Sequence, residues 1–220
     1  MKFDVDVVVY ALPYLLNGAK VTLSMSLLAI LLGVPVGIGL FIGLQSSGVI
    51  LRKVIGLYIS FARGTPLFIQ ILIVYYLLPS IGLDISSYFA AVIALSLNSG
   101  AYISEMIRGG LTAVPKGQIE AARALAMPRR LIWRRIALPQ IFALILPPLT
   151  VEFTALLKAS ALVSVIGVIE LTRTAQQIVA ATYRPIEIWL VVGALYFVMC
   201  YALGALTRRI ERATAVYRLH

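Results

Sequence analysis

Pro115-Lys116-Gly117-Gln118-Ile119-Glu120-Ala121-Ala122-Arg123-Ala124-Leu125-Ala126, then Met127-Pro128-Arg129-Arg130 and Ile136-Ala137-Leu138-Pro139, is a long basic stretch in an otherwise greasy chain. Pro115 has the fixed backbone angle that suits a first helical position, Gln118 to Ala126 is rich in helix formers, and Pro128 discourages continuation. The pattern predicts a short helix. Ala121, Ala122, Ala124 and Ala126 leave little side-chain bulk, so another protein's surface can approach the backbone closely. Glu120 and Arg123 stand at a spacing that allows an ion pair. Such a helix suits a socket. An ordinary cytoplasmic loop with one helical turn is the plainer reading.

Outward from that stretch the chain is apolar. Of its 220 residues 61% are hydrophobic and 13% charged, against about one quarter charged in soluble domains. The apolar blocks are too long and too numerous for a soluble core, so the composition is that of a membrane protein of one domain. The formal net charge of +10 does not indicate nucleic-acid binding, which gathers cations on a soluble face with exposed aromatics. Here the charge tracks the loops: Arg52, Lys53, Arg63, seven residues from Arg108 to Arg135, and Arg208, Arg209, Arg212 and Arg218 fall on one side, 14 of the 19 Lys and Arg. Lys2, Lys20, Lys158, Arg173 and Arg184 fall on the other, so the first side is predicted to be cytoplasmic. Cys200 is a lone cysteine inside an apolar run and His220 the only histidine, which excludes an intrachain disulfide and makes a thiol metal site implausible. The opening Met1 to Asp6 carries two acids, and no small-residue cleavage site follows the first apolar run; the first span is expected to stay.

In chain order, Val21 to Leu51 has no charge and predicts a first span, with Gly33-x-x-x-Gly37 and Gly39-x-x-x-Gly43 at the spacing of close helix contact, within the subunit or between subunits. Gln45 to Gly48 turns the chain. A second span, Val54 to Leu78, is interrupted by Arg63-Gly64-Thr65-Pro66, which loosens the helix and leaves backbone groups needing partners. Arg63 must reach the interface, water or protein there. After an external turn at 79–87, a third span from Tyr88 to Ile107 carries Asn98 and Tyr102 on one face and Glu105 in reach of Arg108. A fourth, Ile136 to Leu157, is expected to break at Pro147-Pro148, just before Glu152; an ionisable group at that depth marks a functional site unless an internal partner makes it structural. Lys158 to Gly167 is too short to span and is expected to be a broken or re-entrant piece against protein. Glu170 to Arg184 is polar enough for the outer interface, with Thr172, Arg173, Gln176 and Gln177 facing solvent. The last span is Ile186 to Leu206. Five spans result, N-terminus outside and C-terminus inside.

Glu120-Ala121-Ala122, three residues, the small Ala126, nine residues and then Ile136-x-Leu138-Pro139 resembles the EAA loop of the permease subunits of bacterial ABC importers. Ala62-Arg63-Gly64-Thr65-Pro66-Leu67, Leu97 to Tyr102 and Glu105-x-x-Arg108-Gly109-Gly110 resemble the polar amino acid branch of that family, and Leu156 to Gly167 its gate and substrate region. The resemblance covers nearly the whole chain. It implies an all-α polytopic fold of the type I importer kind with five transmembrane helices and a short cytoplasmic coupling helix, in one permease domain, 1–220, whose coupling loop runs from about 109 to 135. It implies docking on a cytoplasmic ATPase through Gly117, Glu120, Ala121, Ala122, Arg123 and Ala126. The family pattern has Gly at Ala126; an extra methyl predicts a shifted helix end with docking retained. Many relatives carry an acid at Ala159, and its absence here argues against a pocket built for a cationic side chain.

The implied machine is two permease subunits, identical or related, two ATPases and an extracytoplasmic amino acid-binding protein, in the bacterial cytoplasmic membrane. ATP and Mg are held by the ATPase, and no cofactor is expected in this chain, which has no GxxxxGK[ST], HExxH or GxSxG. For a zwitterionic substrate a pocket near the bilayer middle offers helix-end N–H groups and acids or carbonyls; the candidates are Asn98, Tyr102, Glu152, Lys158, Ser160 and Ser164. Two rivals lack the need for the Glu120 to Pro139 pattern: a stand-alone secondary transporter or channel, and a scaffold whose basic loop binds anionic lipid.

Overall fold

A computed structural model describes residues 3–214; Lys2, Arg218 and His220, counted above, lie outside them. All regular structure among the described residues is helical: α1 Val5–Leu44, α2 Val49–Gly64, α3 Leu67–Ser80, α4 Ser87–Ala113, α5 Lys116–Ala124, α6 Arg129–Ile132, a π turn Trp133–Ala137, α7 Leu138–Ala159, a 3-10 turn Ser160–Ile166, α8 Leu171–Thr182 and α9 Pro185–Thr214. Four stretches are long and apolar enough to cross a membrane, and the pair α2 and α3, bent by 118° at residues 65–66, makes a fifth if counted as one broken span. Five spans with an interruption at Arg63 to Pro66 is the arrangement read from the sequence.

Two expectations are corrected. α1 begins at Val5, not near Val21, because the Asp4 carboxylate caps it by accepting from the N–H groups of Asp6 at 3.1 Å and Val7 at 3.4 Å. Lys20, the charge that bounds the apolar run from Val21, is exposed and reaches Asn17 at 3.4 Å, so it does not oppose the helix. At about 1.5 Å per residue the 40 residues of α1 outrun the ~30 Å hydrocarbon core. Pro147-Pro148, in turn, does not break α7, which runs through both prolines. The irregularity lies upstream, in the π turn just before Pro139, where Leu138 N–H bonds back to Trp133 C=O and the Gln140 side chain caps Ile136 C=O at 2.9 Å. Pro139 supplies no N–H to the ladder there, so the Arg135 carbonyl four residues back loses its helical donor where the bonding widens.

The centre of the subunit is the seam between α1 and α4. A Cβ on Gly33 would stand 2.9 Å from Ser99 Oγ, on Gly37 2.7 Å from Ile103 Cβ, and on Gly100 2.5 Å from Val36 Cγ1. Glycine at these positions lets the two helices touch, so Gly33-x-x-x-Gly37 packs within the subunit; Gly39 faces open space. Met25, Ile71, Leu95 and Val163 fill the cluster beside this seam, and the 3-10 turn lies against α1, α3 and α8. A second cluster, Leu15, Leu171, Ile188 and Val192, binds the start of α1 to α8 and α9.

Candidate functional site

Two features stand out from regular packing, and the first is α5. Only Ala122 of this helix is buried, at 3% exposure. Its inner face leans on the α4 end and the π turn through Ile119, over a hollow of about 240 Å³ lined also by Leu111, Ile132 and Trp133. Gly117, Glu120, Ala121, Arg123, Ala124 and Ala126 are exposed, so the outer face is a low strip of small side chains with one acid. The Glu120–Arg123 ion pair does not form, in keeping with the few tenths of a kcal/mol (about 0.2–0.5) that an exposed pair of this spacing offers.

The helix ends on Ala126, at φ 54°, a conformation that costs an L residue about 1–2 kcal/mol relative to glycine. Met127 N–H bonds Ala122 C=O at 3.1 Å and Ala126 N–H bonds Arg123 C=O at 2.9 Å, the paired closure of a Schellman end. Alanine occupies the left-handed slot that glycine would fill without strain, and the closure keeps it there.

The second feature is the elbow between α2 and α3. Pro66 has no N–H to give Ala62 C=O, four residues back, so that buried carbonyl loses its ladder donor. Two side chains replace it: Gln70 Nε2 at 2.8 Å and Asn98 Nδ2 at 3.1 Å. Asn98 Nδ2 also reaches Gln70 Oε1 at 3.0 Å, and Gln70 Nε2 reaches Thr65 Oγ1 at 2.9 Å, closing the network. Beside it Arg63 pairs with Glu105 at 3.1 Å and lies 5.7 Å over the Tyr102 ring, while Glu105 pairs with Arg108 at 2.7 Å. Arg63 therefore meets protein charge and an aromatic face, as the sequence required.

The substrate candidates divide accordingly. Asn98 is buried with its amide hydrogens engaged in the elbow, and Tyr102 is half-buried under Arg63. Ser160 is fully buried and donates to Leu157 C=O at 2.8 Å. Ser164 is buried on the same turn. Glu152 is half-buried and Lys158 exposed on α7, and neither has a hydrogen bond or ion pair among the described residues. No hydrogen bond or ion pair joins the α4 pair to the α7 pair among the described residues.

Sequence reasoning passed over Gln70 and Glu170. Gln70 is polar in the first turn after a proline break, a signal that could have marked it. Glu170 is 0% exposed and caps α8, accepting from Arg173 N–H at 2.7 Å and Thr172 N–H at 2.9 Å, and from Tyr196 and Thr22 hydroxyls at 3.2 and 3.3 Å. Burial lifts its carboxyl above the usual carboxylate range, against the pull of those donors. Its partners come from α1 and α9, remote in sequence, and no local pattern shows them.

The comparisons agree with this geometry. Residues 29–216 match the family described as binding-protein-dependent transport system inner membrane component. The chain is 38% identical over 213 residues to the arginine transport system permease protein ArtQ of Bacillus subtilis, covering 96% of this chain and 97% of that one. It is 37% identical over 214 residues to the glutamine transport system permease protein GlnP of Escherichia coli, covering 96% and 98%. A crystal structure of an amino acid ABC transporter with histidines superposes with TM-score 0.90 at 40% identity, over 97% of this chain and all of that one. The inward-facing MetNI methionine ABC transporter, 22% identical with TM-score 0.69 over 92% and 95%, shares the fold. The chain belongs to the family of binding-protein-dependent transport system inner membrane components, the multi-pass permeases of ABC transporters.

Proposed function

We propose that this permease carries a polar amino acid inward as one half of a permease pair, driven by a separate cytoplasmic ATPase that docks on α5. The observation that carries the reading is the exposed face of α5 between two spans, with Glu120 and Ala121 outward, Ala122 turned into the subunit, and a Schellman end closing the helix. ATP and Mg reside in the ATPase. The N-terminus lies outside and the C-terminus in the cytoplasm, since α5 to α7 hold seven of the clustered cations with Arg108. The chain acts as one domain, 1–220, with its coupling loop at about 109–135. An external binding protein delivers the substrate, and ATP biases the pair between outward-facing and inward-facing states through differential binding entered at α5.

Glu152, Lys158 and Ser164 are the groups of this chain proposed to meet the zwitterion, with the ammonium at Glu152. Asn98, Tyr102 and Ser160 shape the pathway by holding the elbow and the 3-10 turn. The family resemblances to arginine and glutamine permeases support an amino acid, and Ala159, a methyl where many relatives carry an acid, favours an uncharged side chain.

The test is reconstitution of the chain with its ATPase and binding protein in proteoliposomes. ATP-dependent amino acid uptake, lost on Glu120→Lys together with ATPase co-purification, is expected. Uptake by the chain alone without ATP contradicts the reading. For the site, Glu152→Gln is expected to weaken apparent substrate affinity; an unchanged affinity removes Glu152 from it.

A further inference from the structure

α6 and the π turn carry a cluster of cations with no acidic partner among the described residues. Arg129, Arg130 and Arg134 are exposed, and none has a carboxylate partner among the described residues. By contrast Arg63 and Arg108 pair with Glu105, and Arg184 with Asp4 and Glu187. Between Glu105 and Glu152 the sequence offers one acid, Glu120, which stands on the outer face of α5. The deficit is therefore written into the chain.

The three guanidinium groups are gathered around one hollow, about 520 Å³, whose remaining walls are Trp133 and Leu138. Its lining brings three cationic side chains together with an indole and a leucine. It lies at the head of the 129–166 span, where the chain passes from a charged segment into apolar helix. Leu138 is 52% exposed and Phe142, one turn on along the same face, is 53% exposed. An apolar track thus leads from the cations along the outside of α7. Tryptophan beside arginines at the end of a span is the chemistry of a membrane interface, where the ring sits at headgroup depth.

We propose that Arg129, Arg130 and Arg134, with Trp133 and Leu138, form a binding site for an anionic phospholipid, the guanidinium groups holding the phosphate and an acyl chain lying along Leu138 and Phe142. Planar guanidinium groups match phosphate oxygens in paired hydrogen bonds, and three of them exceed what a zwitterionic headgroup can neutralise. A soluble phosphate uses the cations and leaves Trp133, Leu138 and Phe142 unserved, so the lipid is the occupant that satisfies the whole surface. The site stands on the same short segment that backs α5, so its occupancy reaches the coupling helix through Trp133 and Ile119. The proposal does not depend on the ATPase reading, because its evidence is the charge and shape of this chain.

The test uses the full chain in nanodiscs with Trp189→Phe, which leaves Trp133 as the one tryptophan of the two in the sequence. Phosphatidylglycerol brominated on its acyl chains is titrated against brominated phosphatidylcholine, and quenching of Trp133 is read. Preferential, saturable quenching by phosphatidylglycerol is expected. The triple change Arg129→Gln, Arg130→Gln, Arg134→Gln should weaken that preference by about fivefold per arginine. The corresponding triple change to Lys should restore much of it, which separates lost charge from lost folding; Arg208→Gln with Arg209→Gln should change nothing. Equal quenching by the two lipids, or an unchanged preference in the Gln triple variant, overturns the proposal. Displacement of the lipid by inorganic phosphate at equal concentration overturns the lipid as occupant, and loss of the preference on adding the ATPase subunit assigns the surface to that protein instead.

Discussion

The α2–α3 elbow and the α5 rod both interrupt the run of spanning helices, and they are built in opposite ways. At the elbow a proline removes one donor, and two buried amides, Gln70 and Asn98, replace it on Ala62 C=O. At the rod nothing replaces anything: its exposed surface mixes small alanines with Glu120, Arg123 and Leu125, and its one residue at positive φ, Ala126, is exposed. A break inside apolar surroundings must satisfy its own backbone. A helix meant to be covered by another protein leaves its surface unfinished. The difference separates a structural joint from the surface proposed to receive the ATPase.

That contrast can be broken most severely at the rod. Ala121→Trp places bulk on the exposed strip, so substrate-stimulated ATP hydrolysis by the assembled transporter should fall by about 100-fold, near the upper end of a coupling free energy of about 3 kcal/mol, while the melting of the isolated permease stays put. At the elbow the effects should reverse. Asn98→Leu removes one of two donors from a buried carbonyl and leaves Gln70 Oε1 without its own, so a loss of roughly 1–3 kcal/mol in detergent unfolding is expected. Gly37→Ala belongs to the same class: its methyl meets Gly100 C=O at 2.9 Å, and about 1–3 kcal/mol of destabilisation should appear in the same assay. Ala126→Gly sharpens the comparison from the other side, relieving the left-handed alanine and raising stability by about 1 kcal/mol; hydrogen exchange at Ala126 and Met127 should slow. Smallest of all, Arg123→Gln should leave stability within about 0.5 kcal/mol, since no ion pair with Glu120 exists to lose.

Much of this was legible in the residues. The charge-free runs gave the spans, and Arg63 to Pro66 gave the elbow. Pro115 marked the start of α5 to within one residue, while the helix closes at Ala124, four residues before Pro128. What the residues could not show follows from where the missing information resides. The start of α1 depended on a single cap by Asp4 and on an exposed Lys20, neither of which hydropathy registers. The prolines at 147 and 148 were read as a break because their effect was judged locally, yet α7 runs on through them. The sequence places Asn98 on a face but cannot show its partners; Ala62 and Gln70 are 36 and 28 positions away. Glu170 escaped notice because Thr22 and Tyr196, 148 and 26 positions distant, meet it only in the fold. Local pattern supplied the elements, and long-range hydrogen bonding decided which polar residues are structural.

The docking role of α5 is the point on which the rest turns, and a single cross-link tests it most directly. Cys200 is the one cysteine, so Cys200→Ser with Ala121→Cys places a unique thiol on the exposed strip. In the assembled transporter a short bifunctional reagent should join that thiol to the ATPase subunit in high yield, and an impermeant maleimide added outside intact cells should leave it unlabelled. Labelling from outside, or an intact transporter in which the thiol never joins the ATPase, contradicts the assignment.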